Sequence, residues 1–106
     1  ASDSLDGTLA SMVSLARHLD APGRCVIHFI VPGKNMPKAR RMVECFHSAV
    51  VGKSSAVPAV RLYELRPVRF NISALSFPFN IPLAYAKFYL HEYLPDVSRV
   101  IWLDHD

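Results

Sequence analysis

Apolar residues recur along this chain with two different periods, and the alternation between them predicts its architecture. In ASDSLDGTLASMVSLARHL, residues 1–19, the apolar positions Leu9, Met12, Val13, Ala16 and Leu19 repeat at helical spacing. They fall on one face of an amphipathic helix. Ser4, Asp6 and Thr8 each offer a side-chain oxygen for its N-cap, and Asp20-Ala-Pro-Gly23 ends it in a turn. Cys25–Val31 is then a short, nearly continuous apolar run rich in β-branched residues. That composition predicts a strand buried on both faces, as in parallel sheets. His28 interrupts the run. A lone histidine in such a strand is expected to be a hydrogen-bonded packing residue, because a ligand cluster needs partners.

Pro32-Gly33 closes the strand. The helical period returns in NMPKARRMVECFHSAVV, with Ala39, Met42, Val43, Phe46 and Val50 on one face and Pro37 suited to the first turn. Gly52 is a natural stop. VPAVRLYELRPV alternates, with Val60, Leu62 and Leu65 on one side and Arg61 and Tyr63 among the others, which predicts a less deeply buried strand. Residues 67–79 keep neither period and are bounded by prolines, so they read as a loop or a short strand–turn piece. Leu83–Leu94 is apolar nearly all round, which predicts a buried helix, with Pro82 at its first position and Pro95 beyond its end. RVIWLDHD reads as a last strand. The order helix, strand, helix, strand, loop, helix, strand predicts a parallel α/β sheet with right-handed crossovers.

With 106 residues the chain is one domain at most. Hydrophobic residues make up 51% of it, which suits a packed core and argues against disorder. The net charge of +3 is mild. Only Lys34, Lys38, Arg40 and Arg41 cluster, and a basic helix face of this kind is ordinarily solvated. No nucleic-acid partner is expected. No apolar run approaches the roughly 18 residues needed to span a bilayer, and no signal peptide is visible. Residue 1 is not Met and the opening reads as mid-domain, so a membrane anchor outside this segment is compatible with the pattern. The two cysteines, Cys25 and Cys45, have no C-x-x-C spacing, and whether they pair is left open.

Two pieces of candidate chemistry stand out. Asp104 and Asp106 follow the apolar run Val100–Leu103. In α/β sheets, ligands bind outside the carboxyl ends of the strands. In an extended chain, residues i and i+2 point the same way, so both carboxylates would converge while His105 points away. Two like charges that close favour a cation between them. Hard oxygen ligands suit Mg²⁺ or Mn²⁺ carrying a diphosphate; the plain alternative is two solvated acids. Lys87 is the only basic residue in its long apolar stretch. It is either an ammonium aimed at the same site or a lysine whose head reaches out to water. Ser4 to Leu9, SLDGTL, approaches the nucleophile motif of haloacid-dehalogenase-type phosphatases. The nucleophile position holds Ser4, which cannot form the acyl phosphate of that chemistry. Asp6-Gly7-Thr8 is therefore expected to serve the helix start.

IPLAYAKFYLHEYLPDVSRVIWLDHD, residues 81–106, resembles the signature region of glycosyltransferase family 8. The shared pattern is a tyrosine–alanine–basic triplet (Tyr85-Ala86-Lys87), an apolar helix, Leu-Pro, and V-I-x-L-D-x-D. CVIHFIV and the opening segment resemble the second strand and the start of that fold more loosely. Where that family shows tyrosine or asparagine shortly after its first aspartate, this chain has Leu5 and Asp6. The resemblance implies a GT-A, Rossmann-like nucleotide-diphospho-sugar transferase fold, with a mostly parallel sheet and flanking helices. Residues 1–106 would form the donor-binding part, lacking the first strand and the acceptor half.

The implied activity is retaining transfer of a hexosyl group from a nucleotide sugar, a UDP-sugar in most of the family, to an unassigned carbohydrate, lipid or protein acceptor. Mn²⁺ or Mg²⁺ would be held by Asp104 and Asp106. Donor contacts would come from Asp3, Lys87, Asp104 and His105, and no residue of the chain is assigned a catalytic role. These 106 residues alone are expected not to catalyse transfer. The alternative is a non-catalytic binding or interaction module on the same fold. The compartment is not fixed by sequence: the Golgi lumen is expected for a eukaryotic member and the cytoplasm for a bacterial one. The sequon Asn71-Ile72-Ser73 tilts slightly to the lumen.

Overall fold

The computed structural model describes residues 5–51, 57–69, 71, 75 and 82–103. Its first element, α1 (Asp6–His18), carries the expected apolar face: Met12 is buried, with Leu9, Val13 and Ala16 packed beside it. Its N-cap is Leu5, and no side chain caps it by a hydrogen bond. Asp6 and Thr8 lie inside the helix instead, and Ser4 is outside the described residues. Asp6 in the first turn suits the positive end of the helix dipole, and Thr8 is buried. Asp6-Gly7-Thr8 thus opens the helix, as expected.

β1 (Val26–Val31), a 3₁₀ turn at Gly33–Asn35, α2 (Met36–Val51) and β2 (Ala59–Glu64) follow. The two strands are parallel, in register from Val26 opposite Ala59 to Val31 opposite Glu64. The amide of Leu65 donates to the carbonyl of Val31 at 2.7 Å, which carries the pairing one residue past the strand. Parallel neighbours require a crossover, and α2 supplies it.

Period and burial agree closely along α2. Ala39, Met42, Phe46 and Val50 are all buried, and Phe46 is fully so. Met12 of α1 joins Met42, Phe46 and Val50 in one core, against which Ile27 and Phe29 of β1 and Val60 of β2 pack. Both helices therefore cover the same face of the sheet. The opposite face holds His28 and Tyr63. This arrangement corrects the expectation of a β1 covered on both sides. Most of the strand is only half-buried and Val26 is 40% exposed; among the described residues, α1 and α2 lie over the inner face of the sheet.

The segment read as one buried helix forms a 3₁₀ run, Pro82–Tyr89, continuing into a single α-helical turn, α3 (Leu90–Tyr93). It is not buried all round. Ala86, Tyr93 and Leu94 face inward, while Phe88 is 63% exposed.

The last strand is also corrected. Residues 99–103 adopt no strand pairing, and Ile101 and Leu103 are 84% and 65% exposed. A strand exists only through hydrogen bonds to a neighbour, and the sheet of the described residues consists of β1 and β2 alone. No helix among the described residues is long and apolar enough to cross a membrane.

Candidate functional site

The carboxyl ends of β1 and β2 lie together because the strands are parallel. Glu64 ends β2 there, and its carboxylate lies against Gly33 just after β1, where a Cβ would collide with it. Gly33 admits this approach because it has no side chain. Leu65, Arg66 and Pro67 continue from β2 and, with Leu62, Tyr63, Glu64 and Tyr93, line an open cleft.

Tyr93 organises this cleft. Its ring meets Tyr63 edge-on, with centroids 6.4 Å apart and planes at 79°, a favourable geometry for two aromatic quadrupoles. Its hydroxyl accepts a hydrogen bond from the Arg66 amide at 2.7 Å, and the Arg66 guanidinium lies 5.2 Å from its ring centroid. A second arginine repeats the pattern. Arg69 pairs with the Glu92 carboxylate at 2.5 Å and stacks 4.9 Å from the Tyr89 centroid. Both arginines thus tie the stretch after β2 to the helical segment that carries Lys87.

Lys87 points outward from that segment. Ala86, immediately before it, is buried; Lys87 is exposed, with Nζ 5.8 Å from the Phe88 ring centroid. Asp3, Asp104, His105 and Asp106 fall outside the described residues. Among the described residues, no three His, Cys, Asp or Glu side chains gather as a metal site. Asn71 is exposed and in irregular backbone, whereas Ile72 and Ser73 lie outside the described residues. Cys25 and Cys45 are free thiols, half-buried and exposed respectively.

His28 meets its expected role. Its Nδ1 shares a hydrogen bond of 2.9 Å with the Tyr63 hydroxyl, and the two rings are 5.7 Å apart. Burial, helped by the charge of Arg61, lowers its pKa below the usual 6.5. A histidine whose folded pKa is depressed binds its proton more readily when unfolded. Its contribution is therefore fully present above about pH 6.5 and is lost as pH falls from there through the folded value. Denaturation midpoints of the whole protein should drop between pH 7.5 and 5, and His28→Gln should flatten part of that drop. An unchanged pH profile in the variant would contradict the assignment.

The pairings around Tyr93 and Arg69 were not visible in the sequence. Their partners lie 23 and 27 residues apart, and the only local signal was the density of arginine and aromatic residues around them.

Helices over one face of a parallel pair make this an α/β unit compatible with a Rossmann-like fold. No family model matches the chain, and no solved structure matches it. It is similar to the protein named probable galacturonosyltransferase-like 3 of Arabidopsis thaliana. The two are 32% identical over 108 residues, which takes in 96% of this chain and 28% of the length of that relative. The chain thus spans little more than a quarter of the curated relative it matches.

Proposed function

We propose that this chain is the donor-binding part of a metal-dependent retaining glycosyltransferase of family 8. The observation that carries the reading is the similarity to a galacturonosyltransferase-like protein across 96% of the chain. The Tyr85-Ala86-Lys87 and D-x-D pattern is in keeping with it. The donor would be a nucleotide sugar, and the name of the relative makes UDP-galacturonate the first to test.

In this reading Asp104 and Asp106 hold Mn²⁺ or Mg²⁺. Two hard carboxylate ligands two residues apart fit such an ion, which keeps positions open for diphosphate oxygens. The bound metal would supply Lewis acidity at the leaving diphosphate. Lys87 contributes a second positive charge where negative charge develops; its exposed ammonium is free to move onto a phosphate. His105 offers its backbone to the nucleotide, and Asp3 contacts the nucleoside side of the donor. Tyrosine and asparagine are replaced by Leu5 and Asp6, so base recognition differs from the family pattern.

The test is UDP release from UDP-galacturonate and other UDP-hexoses by the whole protein with Mn²⁺. Asp104→Asn should lower turnover by about 100-fold or more, and Lys87→Ala by a similar order, with Lys87→Arg retaining most of it. Turnover that persists in EDTA, or that Asp104→Asn leaves intact, would count against the proposal.

A further inference from the structure

We infer that Arg69 is a positioning residue for the donor site, acting through the segment that carries Lys87. The inference rests on the reading of Lys87 as a donor contact. Among the described residues, the Lys87 ammonium meets the adjacent Phe88 ring. Its location is set by how firmly the run Pro82–Tyr93 is fixed. That run is an eight-residue 3₁₀ helix followed by one α turn. 3₁₀ stretches of this length have poor hydrogen-bond geometry and are uncommon without outside support. The run includes the buried side chains of Ala86 and Tyr93.

The polar support comes from the stretch after β2. Arg69 grips two successive turns of the run, with the ion pair to Glu92 in α3 and the stack on Tyr89 two residues after Lys87. Arg66 adds the amide hydrogen bond and the stack on Tyr93. One end of this clasp is anchored in the sheet, because Leu65 is hydrogen-bonded to Val31. Arg69 thereby couples the carboxyl edge of the strands to the placement of the Lys87 ammonium. An exposed ion pair alone has a small effect. A guanidinium that also stacks on an aromatic ring has more to lose, and its planar fork is not replaced by an ammonium.

The experiment uses the whole protein and two readouts. Backbone hydrogen exchange over residues 82–94 reports the clasp. Calorimetric titration with UDP in the presence of Mn²⁺ reports the donor site. Arg69→Ala and Glu92→Ala should each speed exchange about 5-fold and weaken UDP binding by a similar factor. The exchanged pair Arg69→Glu with Glu92→Arg should recover part of both, while Arg69→Lys restores the charge but not the stack. Unchanged exchange in Arg69→Ala would overturn the clasp. Faster exchange with unchanged UDP affinity would overturn the positioning role while leaving the clasp in place. Wild-type protein that binds no UDP with Mn²⁺ would overturn the donor reading and the positioning role with it; the exchange result would still decide the clasp.

Discussion

Phe46→Ala is expected to lower the unfolding free energy by about 3–5 kcal/mol. Phe46 has no exposed surface. It stands where α1, α2 and the inner sheet face meet, within the cluster of Met12, Met42 and Val50 and beside Ile27, Phe29 and Val60. Removing the ring loses its transfer free energy and leaves a cavity that three elements would have to move together to fill. Domains are stable by only about 5–15 kcal/mol, so the variant forfeits a large share of the total. Urea denaturation of the whole protein should show a lower midpoint with an unchanged slope. Arg40→Ala, on the exposed face of the same helix, should change stability by less than about 0.5 kcal/mol. A loss below about 1 kcal/mol for Phe46→Ala would mean that the helix layer does not close on the sheet at this residue.

That core was largely legible in advance. The spacing of Ala39, Met42, Phe46 and Val50 is set by the geometry of a helix, so a local pattern reports burial directly. The parallel pairing of β1 and β2 was legible for a related reason, since a helix between two strands leaves a parallel crossover as the simple solution. What failed were readings that depend on a neighbour. The burial of β1 depends on how many faces of the sheet are covered, and among the described residues α1 and α2 cover the inner one. Val100–Leu103 has the composition of a strand, but composition does not provide an adjacent edge. Leu83–Leu94 has helical composition, yet its first part is a 3₁₀ run and Phe88 is exposed.

The same distinction applies to the candidate site. Lys87 could be singled out from sequence because it interrupts an apolar run. Its surroundings could not, because Arg66, Arg69, Glu92 and Tyr93 meet only through the path of the chain after β2. The partner of His28 comes from the strand register, which places Tyr63 on the same face two residues beyond the register partner of His28.

The central claim is that Asp104 and Asp106 form a metal–diphosphate clamp, and here the expected effect is the largest of all. A carboxylate pair that would hold the metal between protein and diphosphate has no substitute when removed, because Lys87 is itself a cation and cannot ligate the metal. Losing both ligands should therefore abolish metal-dependent binding rather than weaken it. The most direct measurement is a calorimetric titration of the whole protein with UDP, with and without Mn²⁺, alongside the Asp104→Ala, Asp106→Ala double variant. Mn²⁺-dependent UDP binding by the wild type, with none detectable in a double variant that still unfolds cooperatively at the wild-type midpoint, is the predicted result. Equal binding by the two proteins would contradict the clamp.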